Sequence, residues 1–228
     1  MVAGDSSRKA AAAPAPGTMT PDIDQMHQLE RELHELSAAL AQAQAELART
    51  RVNEKLARHI AMHDALTSLP NRRYFQERLD LALSPTNGPQ QVLTVVYIDL
   101  DGFKATNDTH GHQTGDQLLQ IVGARLKNAV RAEDMVCRLG GDEFGCLLAG
   151  LPNRQRMSQV AEKIFDVLSA PLKIGSLDIC VLPSIGIAVS PRDGTTGEAL
   201  LHCADTAMYY AKSFRTHYAF FKEDLQEK

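Results

Sequence analysis

Apolar positions along the chain follow several distinct rhythms. Near the N-terminus they fall at Met26, Leu29, Leu33, Leu36, Leu40, Ala43 and Leu47, in steps of three and four. That spacing is an a/d seam along one face of a helix. Glu30, Arg31, Glu32, His34 and Glu35 lie off the seam. The rhythm breaks at Thr50 to Glu54 and resumes as Val52, Leu56 and Ile60. Thr20-Pro21-Asp22 reads as a helix start, with a cap, a proline at the first helical position and an acid near the positive helix end. The pattern predicts a long helix over 20–60, either packed on its own domain or paired with a second copy as a parallel coiled coil. The unbroken 3-4 alternation favours the coiled coil. A second helix is predicted at about 71–84, followed by a loop at Pro85-Thr-Asn-Gly-Pro89. Gln91 to Ile98 is a continuous β-branched run, the mark of a buried central strand. Leu118, Leu119, Val122, Leu126 and Val130 recur at helical spacing. Strand-like runs Met135-Val-Cys and Phe144-Gly-Cys-Leu-Leu flank Gly140-Gly141-Asp142-Glu143, a hairpin signal. A helix at 153–169, a strand pair across Leu172 to Ala188, a helix at 196–213 and a last strand Tyr218 to Phe221 complete the pattern. Strands and helices alternating with hairpins predict an α+β fold, a sheet covered by helices.

Composition narrows the function classes. The 228 residues suit one ordinary domain with an extension: a 1–19 arm, the 20–60 helix, a 61–222 domain and a 223–228 tail. A net charge of −4 offers no general basic face, which argues against nucleic acid as partner. Residues 1–19 are rich in Ala, Ser, Pro and Gly, have no apolar core segment, and read as a disordered arm. No run of 18 apolar residues predicts a membrane span. Cys137, Cys146, Cys180 and Cys203 show no CxxC spacing and read as reduced core thiols of a cytoplasmic protein.

The candidate chemistry is acidic. Asp142 and Glu143 follow the paired glycines, and a second acidic bend, Tyr97-Ile-Asp-Leu-Asp101, follows the apolar strand. If the bends adjoin, Asp99, Asp101, Asp142 and Glu143 crowd one site. Two such charges about 4 Å apart repel by about 4 kcal/mol at an effective dielectric near 20. A cation relieves that, and hard carboxylate oxygens favour Mg²⁺ or Mn²⁺. His110 and His112, two apart, do not share a helix face and make a poor zinc pair.

Gly140-Gly-Asp-Glu-Phe144 resembles the signature of the GGDEF diguanylate cyclases, and further motifs extend the resemblance over about 61–213. Asp64-Ala-Leu-Thr-Ser-Leu-Pro-Asn-Arg72 resembles the family's entry from stalk to catalytic unit. The resemblance implies a palm-like, nucleotidyl-cyclase-like fold with a five-stranded sheet and a βααββαβ core. It implies two metal ions per active site on Asp99, the Leu100 carbonyl, Asp142 and Glu143, with Asp142 as proton acceptor. Lys104, in the loop after Asp101, would stabilise charge; Asn107 and Asp116 would read guanine; Lys212 would reach the triphosphate. Arg131-x-x-Asp134, with Arg138 nearby, resembles the product-inhibition site. The implied reaction joins two GTP into cyclic di-GMP in a homodimer, with cyclic di-GMP as feedback inhibitor. One segment departs from the pattern: Lys212-Ser-Phe-Arg-Thr-His217 places Thr216 where an arginine is expected and Arg215 where glycine is. That departure supports an alternative, a catalytically weak module that binds GTP or cyclic di-GMP and signals through the helix. A pure coiled-coil adaptor would leave the acidic residues unexplained.

Overall fold

The computed structural model describes residues 23–84, 92–151 and 153–225. The expected 1–19 arm, the Thr20-Pro21-Asp22 cap and the Pro85–Pro89 loop lie outside them. The chain divides into two units, residues 1–55 and 56–228.

Helix α1, Ile23–Met62, buries none of its residues. It runs unbroken through 50–54, where the heptad rhythm fails, because Thr50 to Glu54 contain neither glycine nor proline. Met26, Leu29, Leu33, Leu36, Leu40 and Leu47 all stand exposed.

In the second unit the sheet is built around β1, Leu93–Asp101, which pairs antiparallel with β3, Glu143–Ala149, and with β6, Leu182–Ser190. β2, Met135–Gly140, lies outside β3, and β7, Tyr218–Phe220, runs parallel to β6, giving the order β2-β3-β1-β6-β7. Three antiparallel pairings and one parallel make the five-stranded, antiparallel-rich sheet that the motifs imply. β1 is longer than its apolar run predicts. It continues through Asp101 because Ser184, Pro183 and Leu182 of β6 stay in register with Asp99, Leu100 and Asp101. The two aspartates therefore sit on a strand end rather than on a bend.

Successive β1 side chains alternate between two helical layers. Val96, Ile98 and Leu100 face α4, His112–Ala129, and α5, Arg154–Ser169, where Leu118, Val122, Leu126, Ile164 and Leu168 are fully buried. Val95 and Tyr97 face α2, Arg72–Leu83, and α6, Gly197–Phe214, with Phe75, Leu79, Leu200 and Met208. Burial on both faces is why the strand reads as a continuous apolar run, each such side chain contributing about 1.5–3 kcal/mol. Asn71, Asn153 and Thr196 cap α2, α5 and α6 through their side-chain oxygens. Gly186 lets α6 settle onto β6, since a Cβ there would stand 2.0 Å from the Ala204 carbonyl oxygen and 2.2 Å from the Met208 nitrogen.

Four expectations are corrected. Residues 103–110 form helix α3 rather than a loop, ended at Gly111, whose φ of 84° is available to glycine. The predicted 172–188 strand pair is a separate small hairpin, β4, Leu172–Ile174, with β5, Leu177–Ile179, and the rest of the run is the central strand β6. Beyond β7 the chain forms a short helix, α7, Phe221–Leu225, so Phe221 leaves the predicted strand.

The fourth correction concerns the cysteines. All four are free, but Cys180 is exposed while Cys137, Cys146 and Cys203 are buried. Burial pushes the Cys146 thiol up to about 12 and raises those of Cys137 and Cys203. A thiol-reactive maleimide should therefore add once to the native protein, at Cys180, and four times after denaturation. Peptide mapping that finds Cys137 or Cys146 modified natively would contradict this packing.

Candidate active site

The acidic residues meet at one end of the three central strands. Asp99 and Glu143 are register partners across β1 and β3, so both carboxylates emerge on the α6 side of the sheet. Asp142 lies in the two-residue connection Gly141-Asp142 of the β2–β3 hairpin. Gly141 takes φ 52°, a left-handed conformation that costs a residue with a Cβ roughly 1–2 kcal/mol. Asp99 is buried, and Asp142 and Glu143 are half-buried. Burial pushes the Asp142 carboxyl above the usual carboxylate range, and the Asp99 charge pushes it further. Its own backbone N–H, Lys212 and Arg138 pull the other way.

Lys212, in the last turn of α6, supplies the positive charge. Its Nζ lies 2.5 Å from Asp99 Oδ2 and 3.4 Å from Asp101 Oδ1. Burial alone would lower the lysine pKa; the hydrogen bond and charge of Asp99, with Asp101, outweigh it and raise it. Asp101 Oδ2 accepts 2.8 Å from Ser184 Oγ. Tyr97 lies deeper in the same face, where burial, and after it the nearby Glu143 carboxylate, raise its pKa.

Several observations suit a hard divalent cation. The buried Asp101 Oδ1 has only the Lys212 ammonium near it, at 3.4 Å, and that ammonium already stands as a cation against Asp99. Pro183 stands opposite Leu100 and has no N–H to offer its carbonyl. Among the described residues no three His, Cys, Asp or Glu side chains already converge as a metal cage.

The structure brings most of the other candidates to this end of the sheet or beside it. Lys104 is exposed on the first turn of α3, directly after Asp101, and so leaves a helix rather than a loop. Asn107 and Asp116 share a corner between α3 and α4. Gly115 opens that corner, because a Cβ there would stand 1.8 Å from Asn107 Oδ1. That oxygen is buried without a partner, while Asp116 is exposed. Arg215 ends α6 at φ 54°, ψ 38°, which accounts for the glycine expected there, and Thr216 is exposed beyond it.

Arg131 and Asp134 lie apart from the acidic end, in the turn between α4 and β2. They form no ion pair with each other among the described residues; Asp134 Oδ2 instead accepts from the Arg131 backbone N–H at 3.1 Å. They line a groove of about 790 Å³ together with His63, Tyr74, Arg78 and Lys127. Arg138, expected with them, does not line it. Its guanidinium is committed to Asp64 and to the Gly141 carbonyl. That arrangement was not foreseen from sequence; Asp64 and Arg138 are 74 residues apart and no periodicity joins them.

An acidic strand end, a glycine-hinged acidic turn and a basic helix end stand over an antiparallel-rich βααββαβ sheet of the palm type. Residues 61–217, more than half the chain, match the family described as "Diguanylate cyclase, GGDEF domain". The chain belongs to the GGDEF diguanylate cyclase family. It is 41% identical over 191 residues to the diguanylate cyclase TpbB of Pseudomonas aeruginosa, covering 83% of this chain and 43% of that protein. It is 39% identical over 198 residues to the bifunctional diguanylate cyclase/cyclic di-GMP phosphodiesterase MucR of the same organism, covering 86% of this chain and 27% of that protein. The chain thus spans less than half the length of these relatives. The crystal structure of the coiled coil and GGDEF domain of DgcB from Caulobacter crescentus, in complex with c-di-GMP, superposes with a TM-score of 0.74. The two chains are 28% identical, over 81% of this chain and 98% of that one. No helix among the described residues is long and apolar enough to cross a membrane.

Proposed function

We propose that this chain condenses two molecules of GTP into cyclic di-GMP, releasing two pyrophosphates. The observation that carries the proposal is the placement of Asp99, Asp142 and Glu143 at one end of the sheet, with Lys212 against Asp99 and the Asn107–Asp116 corner on the adjoining helices. In each half-reaction a ribose 3′-oxygen attacks the α-phosphorus of the other nucleotide. The new O–P bond forms as the bond to pyrophosphate breaks, and the hydroxyl proton passes to a base. Asp142, whose carboxyl is pushed up, is the proton acceptor. Lys104 and Lys212 offset charge on the phosphates. Asp116 accepts from the guanine N1–H and amine, an edge that adenine lacks. Asp99, the Leu100 carbonyl, Asp142 and Glu143 would hold two Mg²⁺ or Mn²⁺ ions, which when bound polarise the phosphoryl group and acidify the attacking hydroxyl.

Each domain holds one GTP, so two must face each other in a homodimer, and the exposed seam of α1 is the element that brings them together. GTP as substrate places the reaction in the cytoplasm. The groove at Arg131 and Asp134 takes cyclic di-GMP as feedback inhibitor: arginine grips the guanine O6 and N7 pair, and aspartate accepts from the opposite edge. Arg131→Ala should leave the initial rate unchanged and straighten the later part of the progress curve. Curves that bend as in the unaltered protein would make this groove irrelevant to feedback.

The direct test is purified protein with GTP and Mg²⁺ or Mn²⁺, the product identified by mass. Cyclic di-GMP is expected, and Asp116→Ala should weaken GTP use about tenfold to a hundredfold while erasing discrimination against ATP. Binding of GTP without product would instead favour the weak module. Thr216 supports that second reading, since it stands where a phosphate-binding arginine is expected and one charged hydrogen bond is worth about 1.5–3 kcal/mol.

A further inference from the structure

Arg138 lies between two distant parts of the chain. Its Nη1 is 3.0 and 3.1 Å from the two carboxylate oxygens of Asp64. Its Nε and Nη2 both donate to the Gly141 carbonyl, at 3.0 and 2.7 Å. The Arg138 side chain is only 13% exposed and that of Asp64 24%, so the pair is well shielded. Asp64 is itself held: its Oδ1 accepts from the Thr67 backbone N–H at 2.8 Å and from the Thr67 hydroxyl at 2.7 Å. The Arg138 backbone N–H donates to the Pro70 carbonyl at 2.9 Å, so this residue is tied at main chain and side chain alike.

Gly141 is the residue before Asp142. Glycine has the widest choice of φ and ψ, so a Gly-Gly turn does not by itself fix the peptide plane that aims the next side chain. The arginine fork on the Gly141 carbonyl fixes that plane. We infer that Arg138 is a positioning residue for Asp142, and that Asp64, remote in sequence, is the anchor that aims it. The inference rests on the cyclase reading only for its kinetic consequence. The same junction turn is bonded to the last residues of α1: the Asn71 N–H donates to the Met62 carbonyl at 2.9 Å, and the Asn71 side-chain amide donates to the Ala61 carbonyl at 2.9 Å. A hydrogen-bonded path thus runs from the end of α1, through 64–71 and Arg138, to the turn that carries Asp142.

The test compares Arg138→Lys and Asp64→Ala with the unaltered protein. Lysine keeps the charge opposite Asp64, but its single ammonium cannot also fork the Gly141 carbonyl. Hydrogen–deuterium exchange should rise about tenfold in the segment 139–144 of Arg138→Lys, with the rest of the domain unchanged. Asp64→Ala should loosen the same segment although it lies 78 positions from Asp142. In the GTP assay kcat should fall about tenfold or more while KM stays within about threefold, because the base-reading corner is untouched. Unchanged exchange at 139–144 in both variants would overturn the inference, as would acceleration spread evenly over the domain, which marks a merely structural role. An unaltered protein that makes no cyclic di-GMP would sink the cyclase reading alone, and the exchange data would still decide this one.

Discussion

Asp142→Asn should abolish turnover while leaving the protein at least as stable as before. The substitution keeps size and hydrogen-bonding capacity and removes one negative charge. In the folded chain that charge is disfavoured by burial and by the neighbouring Asp99. A folded-state pKa raised above the ordinary value means that ionisation works against folding, and that the penalty is present once the pH is above the raised value. At neutral pH the neutral amide escapes it, so the melting temperature should hold or rise. Catalysis behaves in the opposite sense. The amide cannot take a proton from the attacking hydroxyl and is a poorer ligand for a hard cation. A loss of at least about a hundredfold to a thousandfold in kcat is expected, the size seen when one preorganised electrostatic group is removed. Asp99→Asn should act similarly on turnover, with Lys212 keeping only the Asp101 carboxylate, at 3.4 Å, as an opposite charge. Near-native turnover in either variant, measured alongside thermal melting, would remove these carboxylates from the reaction.

Leu33→Lys combined with Leu40→Lys should split the proposed dimer and remove the proposed activity at low protein concentration. Both leucines lie on the a/d seam and are 69% and 60% exposed in the single chain. The seam from Met26 to Leu47 is about 32 Å long at 1.5 Å per residue. Pairing with a second copy would bury each leucine for about 1.5–3 kcal/mol before ordering costs. Two lysines per helix would place like charges across that seam without touching Asp99, Asp142 or Lys212. Turnover should fall more than about tenfold where the unaltered protein is dimeric, and recover in part as the variant is concentrated, by mass action. Sedimentation run beside the assay reads both halves. A double variant that stays dimeric and fully active would show that the domains meet through another surface.

Elements whose signal is a strong apolar rhythm were legible in advance. β1, α4, α5 and α6 all bury one or both faces, and burial is what hydrophobic spacing records. Helix α3 was not legible. Phe103 is its one large apolar residue, and Thr106, Asn107, Asp108 and Thr109 are poor helix formers, so it is held by its packing on α4 rather than by its own preference. The acidic residues of the site could be found because they end apolar runs and because their pattern resembles a known family. Their grouping on one side of the sheet needed the β1–β3 register. The partners that orient them were out of reach. Lys212 lies 113 residues from Asp99, and the Arg138–Asp64 pair joins two stretches with no shared period.

Gly186 carries no functional group, yet it gauges how deep α6 sits on the sheet. The carbonyl of Ala204 and the nitrogen of Met208 stand where its Cβ would be, so the clearance between sheet and helix is already at its minimum. Lys212 rides on that same helix, one turn beyond Met208. A single methyl group at position 186 would lift the helix and carry the ammonium away from Asp99. The seat of the Lys212 ammonium is therefore set by a backbone contact in the middle of the domain, at a position that no inspection of charged side chains would single out.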